Sequence, residues 1–314
     1  MISFFSIFNE FFVLFLIAFI GFSAKWFGIF NKKIDFAFTQ IILFITLPLL
    51  IIHSLDYKIS LYIFKDFLWL ILLSVFILSI AVIIAHFLVK PIKLSSSRSG
   101  VFQALMIFGN QGFIGFALCF LLFKEQGIAY ATIFNLFFLI LIWTYGVYLV
   151  ARDKVKLPLW KLLFNPGLIA TLIGLILITT PLTLPYTISK SFQLIGLCTI
   201  PLSMLFIGSL LGNIKKSDLY CYLRYYPLWL LAFMKLLLLP LLLFPFLLLH
   251  ISYEVIMVAI ILTATPSAPT IALYAKSFKA DYRLATVGVF ITTLLACLTI
   301  PFLFWLASYL FCIF

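Results

Sequence analysis

Charge is scarce in this chain, and acidic charge is scarcest. Only 10% of its 314 residues are charged, and nine of those are Asp or Glu. No polar stretch is long enough to fold as a separate soluble domain, so one membrane domain spanning 1–314 is expected. The motifs a membrane enzyme would need are missing too: there is no Gly-X-Ser-X-Gly elbow, no His-Glu-X-X-His zinc motif and no intramembrane aspartate pair. The five cysteines, Cys119, Cys198, Cys221, Cys297 and Cys312, have neither paired nor metal-like spacing and read as small buried hydrophobes. His53, His86 and His250 fall near segment ends without ligand spacing. No metal, cofactor or catalytic activity is therefore expected. Carboxylates are absent from the centres of segments 4, 5, 9 and 10 defined below: Glu125 and Glu254 lie at segment ends, Asp153 and Asp281 in loops, and Glu10 near the start of segment 1. That favours uniport over carboxylate-based proton exchange, while a sodium ion held by carbonyls and amides would leave little trace in sequence.

Apolar length is what the chain has in abundance. Hydrophobic residues make up 66% of it and mean hydropathy is +1.28. Taking roughly 20 apolar residues per crossing, about ten spanning segments emerge. The first five have cores near 7–24, 34–53, 67–89, 100–123 and 127–150; the second five lie near 166–180, 188–212, 225–249, 255–275 and 284–311. Residues Met1 to Phe8 carry no basic charge and no small-residue cleavage site follows, so the first run reads as a spanning helix rather than a cleaved signal.

The formal charge of +12 is arranged by topology. Sixteen of the 21 basic residues fall in the loops after odd-numbered segments, among them Lys25, Lys90, Arg98, Arg152, Lys215 and Arg283. Cytoplasmic loops of membrane proteins carry such an excess, which orients both termini outside and points to anionic lipid headgroups rather than nucleic acid. A bacterial inner membrane is the expected location.

The two halves resemble one another. Thr46-Leu47-Pro48 recurs as Thr199-Ile200-Pro201, Phe8-Asn9 as Phe164-Asn165, and Gly21 as Gly174, in order and at offsets of roughly 155. Repeats of five segments, 1–150 and 165–314 joined by a basic loop 151–164, must be inverted relative to each other, because five is odd. Segments 4 and 9 occupy matching places and are both interrupted, by Gly109-Asn110-Gln111-Gly112 and by Thr265-Pro266-Ser267-Ala268-Pro269-Thr270. Within lipid, interrupted backbone is tolerated only where protein or a wet cavity satisfies it, and paired broken helices mark the binding sites of repeat-built transporters. Each break aims a half-helix N-terminus at the midplane, where unpaired N–H groups attract anions. Asn110, Gln111, Gly112, Ser267 and Thr270 are the candidate binding residues. Gly109, Pro266 and Pro269 shape the breaks. Asn135, an interior amide of segment 5, either bonds between helices or lines the site. Lys235, deep in an apolar run of segment 8, either caps the carbonyl end of a broken helix, attracts the anion, or snorkels to the headgroups. Pro48 and Pro201 read as packing or hinge positions.

These stretches, with Gly109 to Gly115, Asn165-Pro166, Ile207-Gly208, Lys235 to Pro240 and Thr265 to Ala268 in that order, resemble the auxin efflux carrier family over nearly the whole chain. The resemblance implies an elevator-type carrier. Segments 1, 2, 6 and 7 would form a scaffold, often dimeric, and segments 3 to 5 and 8 to 10 a moving domain that holds a carboxylate where segments 4 and 9 cross. Asn110 matches the family's asparagine of segment 4. Thr270 stands where many relatives have an asparagine, which puts a close copy of the plant substrate site in doubt. A sodium-coupled importer of the bile-acid symporter type and a non-transporting membrane sensor are the competing readings.

Overall fold

A computed structural model describes residues 4–56, 61–151, 166–180, 182–213, 220, 222–249 and 251–313. The described residues are almost wholly helical, and their one extended pairing is an isolated bridge between two chain breaks. The first half contains α1 (Phe4–Trp26), α2 (Lys32–Ile41), α3 (Leu47–Ser54), α4 (Leu61–Ile92), α5 (Ser96–Ile107) and α6 (Phe116–Leu141). The second contains α7 (Pro166–Thr179), α8 (Tyr186–Leu197), α9 (Thr199–Leu211), α10 (Tyr226–Phe233), α11 (Tyr253–Ala264), α12 (Pro269–Ser277) and α13 (Tyr282–Ile313). Single wide turns with i→i+5 bonding join α2 to α3, extend α6 towards Ala151, and carry α10 on through Met234–Leu238.

Six helical stretches are long and apolar enough to cross a bilayer, and Phe12–Trp26, Pro166–Leu177 and Tyr253–Ala264 are shorter apolar helices. The chain is thus an all-α integral membrane protein. The expected ten segments correspond to fewer unbroken helices for two physical reasons. The interruptions of segments 4 and 9 divide each into short halves. The second half of segment 4 and all of segment 5 run together over Gln111–Ala151, parted only by Lys124, whose φ of 53° and ψ of −139° break the helix. The basic loop 152–164 and His250 lie outside the described residues.

Glycine permits the closest helix contacts. A methyl group on Gly208 of α9 would lie 1.8 Å from the Ala18 carbonyl oxygen of α1, and one on Gly21 would lie 2.1 Å from that of Leu205. Gly174 of α7 and Gly196 of α8 press in the same way on Leu55 and Leu50. Such small-residue contacts are how helices associate in lipid, where no hydrophobic effect drives them together. Between these pairs the Thr199 hydroxyl donates to Thr46 at 2.9 Å, so the two copies of the Thr-X-Pro string touch. Pro48, buried, follows the wide turn Ile42–Thr46, and exposed Pro201 follows the break at Cys198; both sit just inside a helix start.

Acidic residues fasten helix ends. Asp35 accepts from Lys25 at 2.7 Å, from Ser209 and from Asn213, which ties α1, α2 and α9 together. Asp281 accepts from Arg98 at 2.9 Å and from Tyr222. Asp66 accepts from Tyr130 and Ser252. Trp26 is widely exposed, as expected of an interfacial residue.

Candidate binding site at the paired helix breaks

The second break is made by proline. A residue preceding proline is pushed out of the helical region, and both Thr265 (ψ 143°) and Ala268 (ψ 128°) are extended ahead of Pro266 and Pro269. The first break has no proline. There Phe108 is extended, with φ −93° and ψ 115°, and Asn110 leads into a wide turn over Gln111–Gly115. The two extended pieces pair antiparallel through Gly109 and Ser267. The Asn110 N–H donates to the Pro266 carbonyl at 2.6 Å, and the Ala268 N–H donates to that of Phe108 at 2.9 Å. Close approach at this point demands glycine: a methyl group on Gly109 would sit 2.3 Å from the Thr265 hydroxyl and 3.2 Å from Lys235 Nζ.

The carbonyl ends of both interrupted helices are capped. At the end of α5, the Ser267 hydroxyl donates to Leu105 at 2.8 Å and Lys235 Nζ donates to Ile107 at 3.3 Å. At the end of α11, the Leu262 carbonyl accepts from the Thr265 hydroxyl at 2.7 Å and from Gln111 Nε2 at 3.3 Å. The Ser267 N–H is taken by the Thr292 hydroxyl at 3.1 Å. Of the three readings offered for Lys235, its geometry is that of a cap on a broken helix. It is 2% exposed, so it does not snorkel. Ser267, fully buried, is likewise committed to closing the end of α5.

The amino ends differ. Past the first break, the N–H groups of Gln111, Gly112, Phe113 and Ile114 precede the first bond inside the following helix, from Gly115 N–H to the Asn110 carbonyl. Beside them Asn110 is 3% exposed, and both polar atoms of its side chain lack a partner; Gln111 Oε1 also lacks one. An unpaired buried polar group costs about 1–3 kcal/mol, so such groups in one place need a reason. Gly112 faces open space, since a methyl group there would meet nothing within 4 Å. Past the second break Thr270 is half-buried in the first turn of α12.

Asn135 is also buried with both side-chain atoms unpartnered. It lies one turn before Phe138, whose ring meets Phe108 of the first break at 5.8 Å.

Two hydroxyls escaped sequence reasoning. Ser203 of α9, buried and unpartnered, lies one turn from Phe206, whose ring meets Phe113 of the first break at 5.6 Å. Tyr274 of α12, also without a partner for its hydroxyl, lies one turn beyond Thr270 and packs on Trp143. Only the i, i+4 spacing from Thr270 to Tyr274 was available as a signal.

A family model described as "Membrane transport protein" matches residues 6–157 and again 151–304. An uncharacterized transporter of Methanocaldococcus jannaschii is 26% identical over 203 residues, which cover 62% of this chain and 66% of that protein. The chain thus spans slightly under two thirds of the relative's length. With matches across both halves, the chain belongs to the membrane transport protein family, that of the auxin efflux carriers.

Proposed function

We propose that the protein is a secondary carrier of small organic anions, carboxylates in particular, and that the anion is held where the two breaks pair. The observation that carries this reading is the buried side chain of Asn110, unpartnered at the amino end of the helical stretch that starts at Gln111. An amide with a free donor, set at the positive end of a helix, is suited to receive a carboxylate oxygen. Gln111, Gly112, Thr270 and Asn135 would complete the site. Gly109, Ser267, Pro266, Pro269 and Lys235 would hold its shape.

The proposed architecture is two inverted five-helix repeats, ten helices in all, working as an elevator. Support comes from the paired breaks, from the Thr46–Thr199 contact, and from Lys124 and Lys279, which share a φ of 53° and lie 155 residues apart at two helix reversals. Glu125, at the first reversal, accepts from Gln193 of α8 at 3.3 Å. In this scheme that bond docks the outer tip of the moving domain on the scaffold. Further parts of the proposal are a homodimer through the scaffold, an inner membrane location and both termini outside. A sodium-coupled cycle is less well supported, because Lys235 already serves the Ile107 carbonyl that an ion at the break would need.

The test is uptake of labelled malate, pyruvate and indole-acetate by reconstituted liposomes. Wild-type protein should carry at least one of them, and Asn110→Ala should reduce that uptake at least tenfold. Folded protein that carries none, or undiminished uptake by the variant, would remove the carrier reading or the site respectively.

A further inference from the structure

Lys235 has a role beyond capping. Its ammonium is 2% exposed, and among the described residues no carboxylate lies within 4 Å of it. Its one hydrogen-bond acceptor is the Ile107 carbonyl, at the end of α5. The only other buried charge among the described residues is Asp35, which is engaged with Lys25, Ser209 and Asn213. The paired breaks therefore contain one basic group, which in its protonated form is a full positive charge without a carboxylate partner among the described residues.

The electrostatic sum at this place is simple. Two helix carboxyl ends, of α5 and α11, meet two amino ends, those at Gln111 and Pro269. Each end behaves as roughly half an elementary charge, negative at the carboxyl end and positive at the amino end, so the four ends cancel. Lys235 lies against a carboxyl end and offsets the negative pair. What remains on the amino side is about one positive charge, next to the unpartnered amide of Asn110. One carboxylate balances it. A second carboxylate would enter a region with no further cation, where an uncompensated charge is strongly disfavoured.

We infer that Lys235 sets the charge selectivity of the site, so that the protein carries organic monoanions and rejects dianions. This rests on the carrier reading above and narrows its substrate class. Lys235 acts through the field at the break rather than by contact, which makes it a positioning and specificity residue.

The experiment compares liposome uptake of three labelled monocarboxylates (pyruvate, lactate, indole-acetate) with that of malate, succinate and malonate at pH 7, corrected for protein-free vesicles. Wild type should carry a monocarboxylate at least tenfold faster than any dicarboxylate. Lys235→Gln keeps a donor for the Ile107 carbonyl but removes the charge; it should lose monocarboxylate uptake at least tenfold with little change in melting temperature. Lys235→Arg should retain the monoanion preference. Thr270→Lys adds a second cation on the amino side and should raise the malate-to-pyruvate uptake ratio at least tenfold, a gain that misfolding cannot imitate. Dicarboxylate uptake equal to that of monocarboxylates, or an unaltered preference in folded Lys235→Gln, would overturn the inference alone. Uptake of no anion by folded wild type would overturn the carrier reading and this inference with it.

Discussion

The two helix breaks occupy equivalent places and pair with each other, yet they are built for different work. The second break is closed at its strand. Pro266 and Pro269 have no N–H to offer, the Ser267 and Ala268 N–H groups are taken by Thr292 and Phe108, and the Thr265 and Ser267 hydroxyls close helix ends. The first is left open: both polar atoms of Asn110 and one of Gln111 lack a partner beside the open space at Gly112. A strand whose N–H groups are bonded thus lies against one with unpartnered amides. Pairing a stiff support with a receptive surface is how a site keeps its geometry without filling its own donors.

Substitutions at four positions test that contrast. The largest effect is expected at the contact itself. Gly109→Ala drives a methyl group into Thr265 and Lys235. Overpacking of this kind costs about 1–3 kcal/mol or more, and both melting temperature and transport should fall. Survival of both would show that the breaks can separate without consequence. Next is Asn110→Ala, which removes a buried group that has no partner in the protein. Transport should drop at least tenfold while the melting temperature holds or rises, since an unsatisfied polar group is lost. A fall in stability would mean that Asn110 is structural after all.

Ser267→Ala should reverse that pattern. It uncaps the Leu105 carbonyl, so unfolding should become easier by about 1–2 kcal/mol, while apparent substrate affinity changes by only a few fold. A collapse in affinity with unchanged stability would make Ser267 a ligand. The smallest effect belongs to Gly112. With nothing within 4 Å of an added methyl, Gly112→Ala should leave melting temperature unchanged. Gly112→Leu, which projects further into the same space, should impair uptake but not folding; normal uptake by it would place the substrate elsewhere.

Legibility in the sequence followed the range of the interactions involved. The breaks were plain because their causes are local: proline at 266 and 269 forces Thr265 and Ala268 out of the helix, and Gly109 next to Asn110 weakens segment 4 without one. The segments were plain because apolar length is local too, although ten segments could not be equated with ten unbroken helices. Ser203 and Tyr274 were missed because a lone hydroxyl in an apolar run gives no sign of where its helix face is turned.

The sequence by itself determined that this chain lies in a membrane, where its helices are interrupted, and which polar residues sit at those interruptions. Hydropathy and backbone sterics act over a few residues and need no partner. Tertiary structure decided which of those polar groups are used up. Ser267 reaches Leu105, Lys235 reaches Ile107 and Gln111 reaches Leu262, each across more than 120 residues, while Asn110 reaches nothing. Hydrogen bonding is satisfied or denied only when distant segments are brought to about 3 Å, and that is why the bonded break and the open one could be told apart only in the fold.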